Sequence, residues 1–157
     1  MRDGFAAWQA TGAEVLRPYY LAMLAEVAAR GGEVSEGLRL LDEALVAVDK
    51  SGERSWQAEV HRLKGELLLR QAGRGTVQPA SIEDAEAYFH QAIEIARQQS
   101  ARSLELRAVM SLARLWQQQG QRAAARELLA LIYNWFTEGF DTADLQEAKT
   151  LLEELSQ

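Results

Sequence analysis

An all-α protein built from helix pairs is what this sequence predicts, and three observations predict it. Ala (26) and Leu (22) far outnumber Val, Ile and Thr combined (17). Ala and Leu lose little side-chain freedom in a helix, whereas β-branched residues lose more. Only two prolines occur in 157 residues, so long helices can run uninterrupted. Apolar residues then recur at three- and four-residue spacing in segment after segment, the mark of a helix with one buried face. With 48% apolar and 25% charged residues, the chain folds around a core, as one domain or a short stack of repeats.

The elements follow in order. Pro18 suits a helix start, where its missing donor costs little, and the run to about Arg30 buries Leu21, Leu24, Ala25 and Ala28. Gly31-Gly32 stops it. Glu33 to Lys50 carries Leu38, Leu41, Ala44, Leu45 and Val48 on one face and ends at Ser51-Gly52. Arg54 to Gln71 buries Val60, Leu63, Leu67 and Leu68. The one long loop, 72–80, follows, and Ser81 with Asp84 three residues on predicts an N-cap. The next helix runs to Gln99 through Ala85, Phe89, Ala92, Ile93 and Ala96. Ala101 to Gln119 buries Leu104, Ala108, Leu112, Leu115 and Trp116. After Gly120, Arg122 to Phe136 buries Leu128, Leu129 and Ile132. Asp141 or Thr142 then caps a last helix ending near Leu155. Every junction except 72–80 is short, which makes neighbours antiparallel.

These pairs repeat. Small residues stand at Ala25, Gly65 and Ala113 in the first helices and at Gly37, Ala85 and Ala125 in the second. Leu41, Phe89 and Leu129 follow four positions after the second set, and Ala44, Ala92 and Ile132 three positions after those. Small side chains let two helices approach closely where they cross. Self-similarity at this period predicts a helical solenoid, each pair burying its face by stacking on the next.

Composition removes several classes of function. Without cysteine there is no disulfide scaffold, thiolate zinc site or cysteine nucleophile, and a cytoplasmic location is expected. The longest apolar runs fall far below the ~20 residues that span a bilayer, and Met1-Arg2-Asp3-Gly4 begins no signal peptide. A net charge of −6 opposes nucleic-acid binding, which rests on Lys and Arg neutralising phosphates. Charge is uneven, however. Six arginines (97, 102, 107, 114, 122, 126) face two acids between Arg97 and Glu127, while six acids face Lys149 alone between Glu138 and Gln157. Several of the arginines are expected to pair with neighbouring helices and with the acidic last helix, which reads as a solubilising cap.

No arrangement of residues here signals catalysis, a cofactor or a metal. His61 and His90 lack a third ligand in sequence. Gly73-Arg74-Gly75-Thr76 lacks the spacing and preceding strand of a phosphate loop, and no serine sits in a nucleophile elbow. Glu153 and Glu154 are an ordinary exposed pair. Trp56, Trp116, Tyr133, Trp135 and Phe136 fit packing positions, with Trp135-Phe136 beside Phe140 expected to pin the last helix.

The small-residue pattern resembles the tetratricopeptide repeat over residues 18 to 137. It departs from that family in lacking most of the first-helix Trp and Tyr, in lacking the closing Pro, and in having Ile132 where Ala is usual. The resemblance implies an all-α, right-handed helical-repeat solenoid of about three helix pairs (13–140, with the insertion loop 72–80) and a C-terminal capping helix (141–157). Residues 1–12 are then the remnant of a preceding helix or an artificial start. A narrower resemblance rests on Ala7-Trp8-Gln9-Ala10-Thr11-Gly12-Ala13, on His61-Arg62-Leu63-Lys64-Gly65-Glu66-Leu67-Leu68, on Arg102-Ser103-Leu104-Glu105-Leu106-Arg107 and on Trp135-Phe136-Thr137-Glu138-Gly139-Phe140-Asp141-Thr142-Ala143-Asp144-Leu145. These stretches are similar to the C-terminal repeat region of large bacterial signalling proteins that join a class III adenylate or guanylate cyclase to an AAA-like ATPase. No cyclase or nucleotide-binding motif occurs in this chain, so none of that chemistry carries over.

The tetratricopeptide resemblance also implies a concave binding face on the first helices. Its lining would be Tyr19, Ala22, Glu26 and Ala29, then Glu59, Arg62, Glu66 and Leu69, then Arg107, Met110, Arg114 and Gln117. Arg and aromatic residues carry much of the energy of protein interfaces, so the expected partner is a protein or peptide, including another domain of the same polypeptide. The Lys and Asn that clamp a C-terminal carboxylate are absent. Two alternatives compete: an effector-sensing domain that binds a small molecule, and homo-oligomers formed through an N-terminal edge bearing Phe5 and Trp8.

Overall fold

A computed structural model describes residues 3, 15–75 and 79–157. The expectations for Phe5, Trp8 and the stretch 7–13, and for Thr76 of the glycine loop, lie outside the described residues. Among the described residues the chain is all-α, with seven helices and no strand: α1 (Arg17–Arg30), α2 (Val34–Ser51), α3 (Gln57–Ala72), α4 (Pro79–Gln98), α5 (Arg102–Gln118), α6 (Arg122–Tyr133) and α7 (Ala143–Leu155). No helix among them is long and apolar enough to cross a membrane. The chain divides into two compact units, Met1–Tyr88 and Phe89–Gln157, the division falling within α4.

In the first unit α1 packs on α2, α2 on α3, and α1 also touches α3. Leu21, Leu24, Ala25 and Ala28 of α1 meet Leu40, Leu41 and Ala44 of α2 and Val60, Leu63 and Leu67 of α3 in one core. Gly37 sets how closely α1 and α2 approach. A Cβ added there would lie 2.8 Å from a Leu67 methyl and 3.0 Å from the Ala25 carbonyl oxygen. The small residue expected at this crossing is therefore filled, on its open side, by its neighbours. Gly52 ends α2 at φ +71, its N–H bonded to the Val48 carbonyl at 2.9 Å, as a left-handed helix cap requires.

The second unit repeats this order of neighbours: α5 packs on α6, α6 on α7, and α5 also touches α7. Phe89, Ala92, Ile93 and Ala96 of α4 are buried, as are Ala108, Leu112, Ala113 and Leu115 of α5, Ala125, Leu129 and Ile132 of α6, and Leu145, Ala148, Leu151 and Leu155 of α7.

Three helix ends are built alike. After α1, the Glu33 N–H reaches the Ala28 carbonyl and the Gly32 N–H that of Ala29. After α4, Ala101 bonds to Ala96 and Ser100 to Arg97. After α5, Gln121 bonds to Trp116 and Gly120 to Gln117. Each is a Schellman motif, in which the residue before the last donor takes a left-handed backbone. Gly32 (φ +91) and Gly120 (φ +81) do so freely, but the third place is held by Ser100, at φ 55. A side chain in that conformation costs roughly 1–2 kcal/mol, while glycine adds about 0.5–1 kcal/mol of chain entropy lost on folding. Ser100→Gly is therefore expected to stabilise by roughly 0.5 kcal/mol, readable as a raised urea midpoint. Ser100→Val should lower it. A lower midpoint for the glycine variant would show that the serine is not strained.

The structure changes two boundaries and leaves one expected cap bond unmade. Helix α4 starts at Pro79, so Ser81 lies inside its first turn and is not the N-cap. Proline suits a first helical position, where no amide donor is needed. Helix α6 ends at Tyr133, so Trp135 and Phe136 sit in the connection. Thr142 does precede α7 in extended backbone, but its side chain makes no capping bond. Residues Gly73 to Gly75 are turn and bend, tied down by Arg74, whose Nη1 donates to the Gly32 carbonyl at 2.6 Å.

Candidate functional site

The first-helix positions separate into two groups, one in each unit. In the first unit, Glu59, Arg62 and Glu66 lie on successive turns of α3, and α3 buries the first two: Glu59 is 6% exposed and Arg62 7%. Arg62 spans its partners with a fork. Nη2 and Nε donate to the two Glu59 oxygens at 2.7 and 2.9 Å, and Nη1 donates to Glu66 at 2.5 Å. Burial opposes the guanidinium charge, yet the bonds to Glu59 and the charges of Glu59, Glu66 and Glu26 outweigh it, holding Arg62 above the ordinary arginine range. Two-point Arg–carboxylate pairing of this kind fixes orientation as well as charge. Glu26 of α1 is half-buried and accepts a bond from Arg30 at 3.0 Å. Tyr19 meets Tyr20 edge-on at 5.4 Å and Trp56 at 4.6 Å.

In the second unit, α5 places Arg107, Arg114 and Gln117 at half-buried positions, whereas Met110 is buried at 3% exposure. Arg114 pairs with Glu147 of α7. Two more arginines of the basic stretch also reach α7: Arg122 donates to the Glu154 carbonyl, and Arg126 to the Ser156 hydroxyl at 2.9 Å. Cations at a helix C-terminus oppose its negative dipole end. Arg97 and Arg102 share Glu105 of α5, each at 2.7 Å. Glu105 is 3% exposed, and this shared carboxylate braces the turn around Ser100.

His61, His90 and Lys64 have local structural partners. His61 donates from Nδ1 to the Gln57 carbonyl at 2.9 Å and lies 5.8 Å from the Tyr88 ring. Burial pushes its imidazole below the ordinary histidine range, against that hydrogen bond. His90 lies 6.1 Å from the Trp116 ring. Lys64 pairs with Asp42 and sits 4.8 Å from the Tyr88 ring. Among the described residues, no three His, Cys, Asp or Glu side chains converge as metal ligands would. The aromatic cluster differs from expectation. Trp135 is 56% exposed and Phe140 44%; Tyr133 meets Phe140 at 5.8 Å, while Trp135 stacks edge-on against Phe136 at 5.3 Å. Ending α6 at Tyr133 turns Trp135 out of the core face.

No protein-family model matches the chain. It is similar to an uncharacterized protein of Rhizobium meliloti (strain 1021), 28% identical over 114 residues, which cover 73% of this chain and 10% of the relative. The matched part of the chain thus spans about a tenth of the length of that relative.

Proposed function

We propose that this chain is a non-catalytic helical-repeat module of the tetratricopeptide type, which binds a protein or peptide segment along the first-helix face and belongs to a larger bacterial signalling polypeptide. The observation that supports the reading is a likeness between two helix pairs, α1–α2 and α5–α6. Gly37 seats closely against Ala25, Ala113 and Ala125 are fully buried at the corresponding places, and a Schellman turn joins the two helices of each pair. Repeats of this kind stack to present long surfaces, and partner binding is what such surfaces do. The similarity to a short part of a much longer bacterial protein supports membership of a larger polypeptide.

Arg62 and Glu59 are committed to each other, so the face is better tested on α5. A photo-crosslinking residue at Gln117 is expected to join one defined segment of another domain or protein, and a matched probe at exposed Glu127 of α6 is not. Arg107→Glu should weaken the Gln117 crosslink. Equal crosslinking from both probes, or none from Gln117, would refute the reading. Reading the coding DNA upstream of the Met1 codon then decides whether the partner segment lies in the same polypeptide.

A further inference from the structure

The second unit holds a cleft of about 630 Å³ between the start of α5, the connection 134–142 and the start of α7. Its apolar walls are Leu106 of α5, Trp135 and Phe136 of the connection, and Leu145 of α7. Leu106 and Leu145 are buried, but Trp135 leaves more than half of its surface open. A space of this size, with apolar walls and a few polar groups, suits one small ligand.

The polar groups decide which ligand. Glu138 and Asp144 line the same cleft, and neither has an ion-pair partner among the described residues. Arg102 at the edge is already engaged: its Nη1 donates to buried Glu105 at 2.7 Å, and its guanidinium lies 5.2 Å from the Trp135 ring centre. Two helices begin at the cleft, and each helix start contributes roughly half a positive charge. Arg97 and Arg102 share the single Glu105 carboxylate at the edge, which leaves a surplus positive charge there, but among the described residues Glu138 and Asp144 are the only charged groups in the lining itself. The lining is therefore negative and partly apolar, with the Ser103 and Thr137 hydroxyls able to accept bonds from N–H donors.

We propose that this cleft binds a small organic cation, an ammonium group carried on an aromatic or aliphatic body. The body lies against Trp135, Phe136 and Leu106, and the ammonium faces Glu138 and Asp144. The site stands independently of the repeat reading, because it uses groups of the second unit that play no part in the first-helix face. A bound ligand touches α5, the connection and α7 together, so it stabilises the folded unit by mass action.

The test compares 2-phenylethylammonium with phenylacetate, an anion of similar shape, on the full 157-residue chain. Binding is followed by NMR through the Trp135 indole N–H, assigned with Trp135→Phe. The ammonium is expected to bind at least about tenfold more tightly than the anion. Glu138→Gln combined with Asp144→Asn should abolish that preference while leaving the circular dichroism spectrum unchanged. Equal affinity for the two probes, or a preference that survives the double variant, overturns the proposal. So does an unmoved Trp135 signal at about 10 mM ammonium, or a shift produced only by a lysine-bearing peptide.

Discussion

Gly37→Val is expected to destabilise the protein by roughly 3 kcal/mol, lowering the melting temperature by about 6–12 °C for a chain of this size. The reason is the crossing of α1 and α2. Any Cβ at position 37 meets a Leu67 methyl and the Ala25 carbonyl at van der Waals limits or inside them. The methyl can rotate away, but the backbone of α1 cannot do so without carrying Leu21, Leu24 and Ala28 out of the core they share with α2 and α3. Valine adds two further methyl groups and a stiff χ1. Alanine is the gentler probe, since a gain of about 1 kcal/mol in helix propensity offsets part of the crowding. Urea denaturation measures both. An unchanged midpoint for the valine variant would mean that α1 and α2 separate at little cost.

The second large effect belongs to Arg62. Replacing it with leucine leaves Glu59 buried without its guanidinium, and breaking one side of a buried pair costs about 3–5 kcal/mol. Adding Glu59→Leu should restore most of the loss at pH 7, because well-packed apolar groups often replace a buried ion pair at little cost. A loss that the second substitution does not rescue would belong to packing alone.

These two sites also show what was legible in the sequence. Gly37 could be read, because a small residue at a fixed interval between large apolar ones has a direct geometric meaning. The helix faces were legible for the same reason: Leu21, Leu41, Phe89 and Leu129 follow the 3.6-residue period and are all buried. The burial of Glu59 and Arg62 was not. Acid and base three residues apart look the same on a solvated helix as on one whose pair faces inward, and only the neighbouring helices tell them apart. Ser100 was hidden because its left-handed backbone is recorded in hydrogen bonds to Ala96 and Arg97 and not in its side chain. The start of α4 was misplaced because Ser81 and Asp84 imitate a cap, while Pro79 already had the fixed φ of a first helical residue. The cleft at Trp135 escaped notice since its carboxylates read as part of an acidic run and its indole as core.

The tight Schellman turns carry a consequence for how the protein reaches its native state. Within each unit, a helix finds its main partner directly across a connection of a few residues. α1 meets α2 across 31–33, and α5 meets α6 across 119–121. Little loop-closure entropy separates an isolated helix from its hairpin, and chains dominated by such local pairings fold in microseconds to milliseconds. Each hairpin is then its own nucleation centre. A lesion such as the valine at Gly37 would be felt first by the α1–α2 hairpin, while α5 and α6 could still form theirs.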